Sequence, residues 1–163
     1  MKKLRLTLTV LLLFGSSYAV AQESNTGFRG WGPRVGLTVD PDQVHFGAHI
    51  DFGNFAQRLR FQPNFELGIG DDLTVGAANF EVNYRFREQW DVWTPYLGGG
   101  VGVLFIDHDT EGIGDGSDTE FGASVLGGIE KGISGGDRFF LETKLGLVDA
   151  PDLKLTVGWT FGH

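Results

Sequence analysis

The sequence of 163 residues contains no cysteine, few prolines and a single methionine. Without cysteine the chain has no disulfide framework and no thiol to carry the lipid anchor of a lipoprotein. No apolar run reaches the roughly 20 residues that a membrane-spanning helix needs. Basic residues are scarce, 13 against 21 acidic ones, which argues against a nucleic-acid partner and against docking on anionic lipid.

The first residues have the composition of an export signal. Lys2, Lys3 and Arg5 precede a short apolar stretch at residues 6–14, and residues 19–21 read Ala-Val-Ala, an A-x-A cleavage site. We expect residues 1–21 to be a signal peptide that is removed on export. Residues 22–29 are then a short lead-in, and residues 30–163 have the length of one domain.

What the sequence has in abundance is period-two alternation, whereas helical periodicity is missing. Around residue 82, for example, Phe80, Val82 and Tyr84 alternate with Glu81 and Asn83. Together with the turn residues, the alternation predicts an all-β fold of eight antiparallel strands. The predicted strands lie at roughly residues 30–39, 43–53, 58–69, 73–86, 93–106, 119–131, 138–148 and 152–163.

The phase of the alternation is least regular in the fourth predicted strand. Val75 falls out of phase with Phe80, and a bulge or a strand end near Ala77 and Ala78 would explain the difference.

Side-chain volume decides which face of the strands points inward. An eight-stranded barrel has an interior just wide enough to be filled by side chains. The bulky apolar set would overfill it, whereas the polar set, interspersed with glycine, fits. The sequence therefore predicts an up-and-down transmembrane β-barrel with its apolar side out and a polar, Gly-rich interior.

We expect the inward charges to form a compensating network of ion pairs and hydrogen bonds, with a gated polar conduit as the alternative. The predicted interior network consists of Arg34, Asp51, Arg60, Glu66, Glu81, Arg85, Glu130, Glu142 and Lys144. Glu120 and Lys154 have the same phase.

The two rims of the predicted barrel differ in composition. Trp31, Trp93, Trp159 and Phe161 fall at one rim and predict an aromatic girdle. The connections at the opposite rim are acidic and include the longest one, residues 107–118. Because outer-membrane barrels have short periplasmic turns and longer external loops, we expect both termini on the periplasmic side.

The last predicted strand carries a recognisable pattern, Thr156-x-Gly158-x-x-Phe161-x-His163. With the export signal and the eight alternating segments, it resembles the small OmpA-like and OmpX-like outer-membrane β-barrels over essentially the whole mature chain. The resemblance implies a Gram-negative cell envelope, an outer-membrane location and outer-membrane lipid as the surroundings. It also implies a monomer whose last strand is recognised by the barrel-assembly machinery, although His163 stands where phenylalanine is usual.

One acidic segment has the spacing of a calcium loop. Asp107, Asp109, Glu111, Asp115 and Asp118 supply oxygen donors around a turn-making glycine. Weak calcium binding is therefore one hypothesis, and a solvated acidic surface loop is the other. No other cofactor is indicated.

The sequence offers little for catalysis. Serines are few, no His-x-Ser pair occurs, and His45 and His49 are about 13 Å apart along one strand. We therefore expect a non-enzymatic outer-membrane protein with a structural or surface-interaction role, an unidentified external partner and no nucleic-acid partner. The alternatives are a soluble periplasmic lipocalin-like barrel that binds a lipophilic ligand and, third, a lipid-modifying outer-membrane enzyme.

Overall fold

The computed structural model describes residues 25–70, 73–108 and 117–163. In these ranges the chain forms strands β1 (Asn25–Val39), β2 (Gln43–Ala56), β3 (Leu59–Phe61), β4 (Asn64–Ile69), β5 (Leu73–Arg85), β6 (Trp93–His108), β7 (Ser117–Gly132), β8 (Arg138–Val148) and β9 (Leu153–Gly162), with a short 3-10 turn at Ser134–Gly136. Within the same ranges, no helix is both long and apolar enough to cross a membrane.

The strands form one closed antiparallel ring in which β1 pairs with β2 and β9, β2 pairs with β3 and β4, and each strand from β5 to β8 pairs with the next one. β3 and β4 occupy a single position, because both pair with β2 on one side and β5 on the other. They are separated at Gln62–Pro63, since proline has no N–H to donate to a strand ladder. The predicted eight-stranded up-and-down barrel is therefore confirmed.

Burial along the strands is the reverse of that in a water-soluble barrel. On β2, His45 and Asp51 are buried whereas Phe46 and Ile50 are exposed. The same alternation of buried polar and exposed apolar side chains continues on the other strands. The predicted orientation, apolar side out and polar side in, is the one that the structure has.

Two boundaries differ from the prediction. β5 pairs with β6 without a break from Leu73 to Arg85, so the predicted bulge or strand end near residues 77–78 is wrong. Val75 and Ala77 instead point inward and pack against Leu104, which gives the interior a small apolar cluster of its own. In addition, β1 begins at Asn25 rather than near residue 30.

The antiparallel order places the connections at two ends. We call the end at which β1, β4, β6 and β8 finish the acidic end, because its described connections carry Asp40, Asp42, Asp149 and Asp152. The other end, with residues 57–58, 86–92 and 133–137, is the arginine end; β1 begins there and β9 finishes there.

Candidate functional site

The centre of the barrel holds a group of ion pairs that we call the central cluster. Its members are Arg34, Glu66, Glu81, Glu142, Lys144 and Lys154. Arg34 Nη2 donates to Glu142 Oε1 at 2.6 Å, and Arg34 Nε lies 3.0 Å from Glu66 Oε1. The three basic and three acidic groups balance, and their six side chains are almost inaccessible to solvent.

The two lysines of the central cluster complete its connections. Lys154 Nζ donates to Glu66 Oε2 at 2.5 Å, and Lys144 Nζ lies 2.5 Å from Glu81 Oε1. Glu66 thus contacts Arg34, Lys144 and Lys154 at once. Because these partners come from β1, β4, β8 and β9, the cluster joins opposite walls of the barrel.

A layer of large side chains closes the lumen next to the central cluster. This aromatic layer consists of Tyr96, Leu126 and Phe140, all buried. The Tyr96 hydroxyl donates to Glu142 Oε2 at 3.0 Å. The guanidinium of Arg34 lies 5.8 Å from the ring centre of Phe140, a cation–π distance, so the layer contacts the ions directly as well as filling the lumen.

Glycine makes room for this layer. A Cβ at Gly158 would overlap the ring of Phe140, and a Cβ at Gly128 would lie 2.5 Å from the Tyr96 hydroxyl oxygen. Gly158, which the sequence pattern singled out as part of the last-strand motif, therefore also has a packing role inside the barrel.

A second group of ions lies on the other side of the aromatic layer. This mouth cluster consists of Asp51, Arg60, Arg85, Glu130 and Arg138. Glu130 accepts from Arg60 at 2.7 Å and lies 2.5 Å from Arg85, while Asp51 pairs with Arg138. The mouth cluster has three basic groups against two acidic ones, and it reaches the arginine end, where the side chain of Arg85 is 33% exposed.

The interior histidines bond to threonines. His45 shares hydrogen bonds with Thr38 at 2.9 Å and Thr156 at 3.0 Å, and His49 with Thr160 at 2.8 Å. All of these side chains are buried, so a substrate has no access to them. No Ser–His hydrogen bond occurs among the described residues, and the pairing required by the enzyme hypothesis is not seen there.

The nine side chains of the predicted interior network are divided between the two clusters. Arg34, Glu66, Glu81, Glu142 and Lys144 lie in the central cluster. The remaining four, Asp51, Arg60, Arg85 and Glu130, lie in the mouth cluster. Glu120, which has the inward phase, is exposed near the acidic end of β7 instead.

The predicted girdle residues contact one another outside the barrel at the arginine end. Trp31 lies edge-on to Phe161, with ring centres 5.6 Å apart. Trp93 and Trp159 lie on either side of Phe139, at 6.1 and 4.7 Å between ring centres.

The predicted last-strand motif has two environments. Thr156 and Gly158 point into the lumen, whereas Phe161 lies on the outer surface. The backbone N–H of His163 donates to Arg29 O at 2.9 Å, and its ring lies 5.8 Å from the ring of Phe28. His163 thus makes the kind of ring contact that a phenylalanine makes.

The predicted calcium loop lies mainly outside the described residues, which include only its flanks. Asp107 is paired with Ser117 and Asp118 with Ile106, at the ends of β6 and β7. Asp109, Glu111 and Asp115 are not described. Over residues 25–70, 73–108 and 117–163, no group of three or more potential ligands is arranged to hold a metal ion.

The predicted interior network does not include Tyr96, Phe140 or Arg138, although all three side chains lie inside the barrel. Arg138 shares its phase with Glu142 and Lys144, so the alternation of β8 was a signal that could have identified it. Tyr96 and Phe140 have the inward phase as well, but volume arguments assign aromatic residues to the outer face. Only the small glycines opposite them allow the exception.

Comparison with known proteins identifies the fold. No protein-family model matches the chain, and no curated protein matches it by sequence. The N-terminal β-barrel domain of Pseudomonas aeruginosa OprF is similar in structure, with a TM-score of 0.65 and 12% identity over 85% of this chain and 98% of that one. Neisserial surface protein A has a TM-score of 0.65 and 16% identity over the same shares.

A third solved structure is similar to a lower degree. The Yersinia pestis outer membrane protein Ail has a TM-score of 0.51 and 10% identity, over 83% of this chain and 99% of that one. At these identities the likeness concerns the fold. The chain has the fold of the small eight-stranded outer-membrane β-barrels.

Proposed function

We propose that the protein is a non-enzymatic integral outer-membrane barrel with a structural or surface-interaction role and with its acidic end facing outward. The observation that carries the proposal is the reversed burial: an apolar outer wall surrounds a lumen filled with paired charges. Lipid requires such a wall, and a closed ring satisfies the backbone groups that lipid leaves without partners. The aromatic contacts at the arginine end match the position of an interfacial girdle.

A filled lumen also favours a structural role over transport. The aromatic layer and the balanced central cluster occupy the middle of the barrel, where Arg34, Glu66 and Glu81 are almost completely buried. A solute that crossed the barrel would have to separate these ion pairs, and breaking a buried pair costs about 3–5 kcal/mol.

A matched pair of substitutions tests the membrane placement. Val101 lies in the middle of β6 and is 62% exposed on the outer wall, whereas Val92 is exposed in the 86–92 turn. In lipid vesicles, Val101→Arg is expected to reduce the unfolding free energy by about 2–4 kcal/mol and Val92→Arg by about 0–1 kcal/mol. Urea unfolding followed by tryptophan fluorescence measures both values.

Two outcomes would contradict the membrane proposal. One is a small and equal loss of unfolding free energy for Val101→Arg and Val92→Arg, because an outer wall that faces water tolerates arginine. The other is recovery of the protein, expressed with its N-terminal segment, in the periplasmic fraction without detergent. In the membrane fraction, we expect a folded barrel whose gel mobility shifts only on boiling.

The rival functions make different demands on the interior. A lipocalin-like barrel needs an apolar cavity for its ligand, but the described interior is dominated by charged and polar side chains. A lipid-modifying enzyme needs an accessible nucleophile and base, while His45 and His49 are buried against threonines. The interior therefore favours the non-enzymatic barrel over both alternatives.

Two features of the proposal concern binding. Recognition of the β9 motif by the barrel-assembly machinery is a prediction, which a comparison of His163→Phe with the wild type in an assembly assay tests. Weak calcium binding by residues 107–118 is also a prediction. Calorimetry is expected to give saturable heat at millimolar calcium, and absence of heat would end the hypothesis.

A further inference from the structure

The arginine end contains a polar cavity of about 260 Å³ that neither the barrel scaffold nor the proposed function explains. Four arginines line it, Arg29, Arg60, Arg85 and Arg138, together with a single carboxylate side chain, that of Asp51. We call this space the arginine cavity. A concentration of basic groups is unusual in a chain with 13 basic and 21 acidic residues, so their placement around one cavity requires an explanation.

The protein's own carboxylates do not neutralise the four arginines that line the cavity. Asp51 uses one oxygen to accept the backbone N–H of Gly53 at 2.7 Å and pairs through the other with Arg138. Glu130, which does not line the cavity, pairs through one oxygen with Arg60 and through the other with Arg85. Two carboxylates thus face four guanidinium groups, and the excess of positive charge faces the cavity.

Unused hydrogen-bond donors accompany the excess charge. The Nε atoms of Arg60, Arg85 and Arg138 are buried and have no hydrogen-bond partner among the described residues. The Arg60 side chain is only 4% exposed, whereas those of Arg85 and Arg138 are 33% and 19% exposed, so these two present accessible guanidinium groups to a ligand. Guanidinium groups present planar pairs of donors that fit tetrahedral oxyanions such as phosphate.

We propose that the arginine cavity is an oxyanion-binding site that accepts a phosphate group at the arginine end of the barrel. The group comes either from free phosphate or from the headgroup of an anionic phospholipid in the adjacent leaflet. The central cluster is not a competing site, because its three basic and three acidic groups balance. The inference concerns a ligand of the barrel and goes beyond its proposed structural role.

The test uses inorganic phosphate and the purified protein in nonionic micelles. Isothermal titration at constant ionic strength is expected to give saturable, one-to-one binding. Arg29→Gln with Arg85→Gln is expected to weaken it about tenfold or more, since charge-assisted hydrogen bonds to the anion are lost. Arg87→Gln is the matched control, because Arg87 is exposed in the same turn region but does not line the cavity.

Folding of each variant is checked separately by its heat-modifiable gel mobility. We expect the double variant to fold, because Arg29 and Arg85 are both partly solvent-accessible. Phosphate should also raise the urea midpoint of the wild type, because a ligand that binds only the folded state stabilises it. The proposal is overturned if phosphate gives no saturable binding to the wild type, or if the double variant binds as tightly as the wild type. It is equally overturned if Arg87→Gln weakens binding as much as the double variant does.

A second arm distinguishes the two sources of phosphate. The titration is repeated in discs of phosphatidylcholine alone and of phosphatidylcholine with phosphatidylglycerol. Phosphate binding that is lost only in the phosphatidylglycerol discs identifies the lipid headgroup as the occupant. Binding retained in both kinds of disc identifies free phosphate.

Discussion

The central cluster and the mouth cluster occupy the same lumen but differ in charge balance and in contact with water. The central cluster pairs three basic with three acidic groups, and all of them are buried. The mouth cluster has one basic group in excess, and two of its arginines are partly exposed. Between the two clusters lies the aromatic layer, which contacts Arg34 on one side and Arg60 on the other.

The difference shows how the depth of a charged group in the lumen limits the net charge of its cluster. Deep in the lumen an unpaired charge is too costly to retain, so the central cluster must be neutral. Near the mouth, water screens an imbalance and lets the protein keep surplus guanidinium groups. We therefore interpret the central cluster as a structural element and the mouth cluster as the part of the interior that is free to bind a ligand.

The largest effect is expected from removal of one central charge. Glu66→Gln leaves Arg34, Lys144 and Lys154 facing only two carboxylates, and we expect the unfolding free energy to fall by about 3–5 kcal/mol. Urea unfolding in lipid vesicles measures the change. The double substitution Glu66→Gln with Lys154→Met restores the balance and should recover part of the loss. A loss under about 1 kcal/mol for the single variant would show that the cluster is not tightly coupled.

An intermediate effect is expected in the aromatic layer that separates the clusters. The methyl group of Gly158→Ala would overlap Phe140, and such overpacking costs about 1–3 kcal/mol. Gly132→Ala is the control, because a Cβ at Gly132 meets nothing within 4 Å. Adding Phe140→Leu should relieve part of the cost, and strictly additive effects would refute the proposed contact.

The smallest effect is expected at the mouth. The Arg85 side chain is 33% exposed, and Glu130 keeps Arg60 as a partner when Arg85 is replaced. Arg85→Gln should therefore change the unfolding free energy by only about 0–1 kcal/mol in phosphate-free buffer, and less at high salt. A loss as large as that of Glu66→Gln would remove the distinction between the clusters.

Much of the architecture was predictable because its cause is local. Period-two alternation assigns each residue of a strand to one of two faces, and a volume argument then assigns the faces to lipid or lumen. That reasoning placed Arg34, Glu66 and Glu142 inside, where the structure has them. It fails at Val75, where an apolar residue on the inward face suggests a bulge or strand end, whereas the structure has a continuous strand and a small apolar cluster inside the barrel.

The partners within the lumen could not be predicted in the same way. Arg34 and Glu142 are 108 positions apart, and Lys154 and Glu66 are 88 positions apart. Alternation predicts which side chains point into the lumen. Which of them meet depends on their levels along the barrel axis, and these levels are set by strand tilt and stagger. The sequence alone therefore left one undivided set of interior charges.

The sequence by itself determined the closed barrel, its apolar exterior and its polar interior, because these follow from the alternation and volume of neighbouring side chains. Only the tertiary structure decided that the interior charges separate into a neutral cluster and an arginine-rich mouth. The reason is that the division depends on the aromatic layer, which exists because Gly128 and Gly158 leave space opposite Tyr96 and Phe140. Each glycine is the strand partner of the ring beside it, Gly128 of Tyr96 and Gly158 of Phe140, so the space depends on the register between paired strands, which alternation alone does not fix.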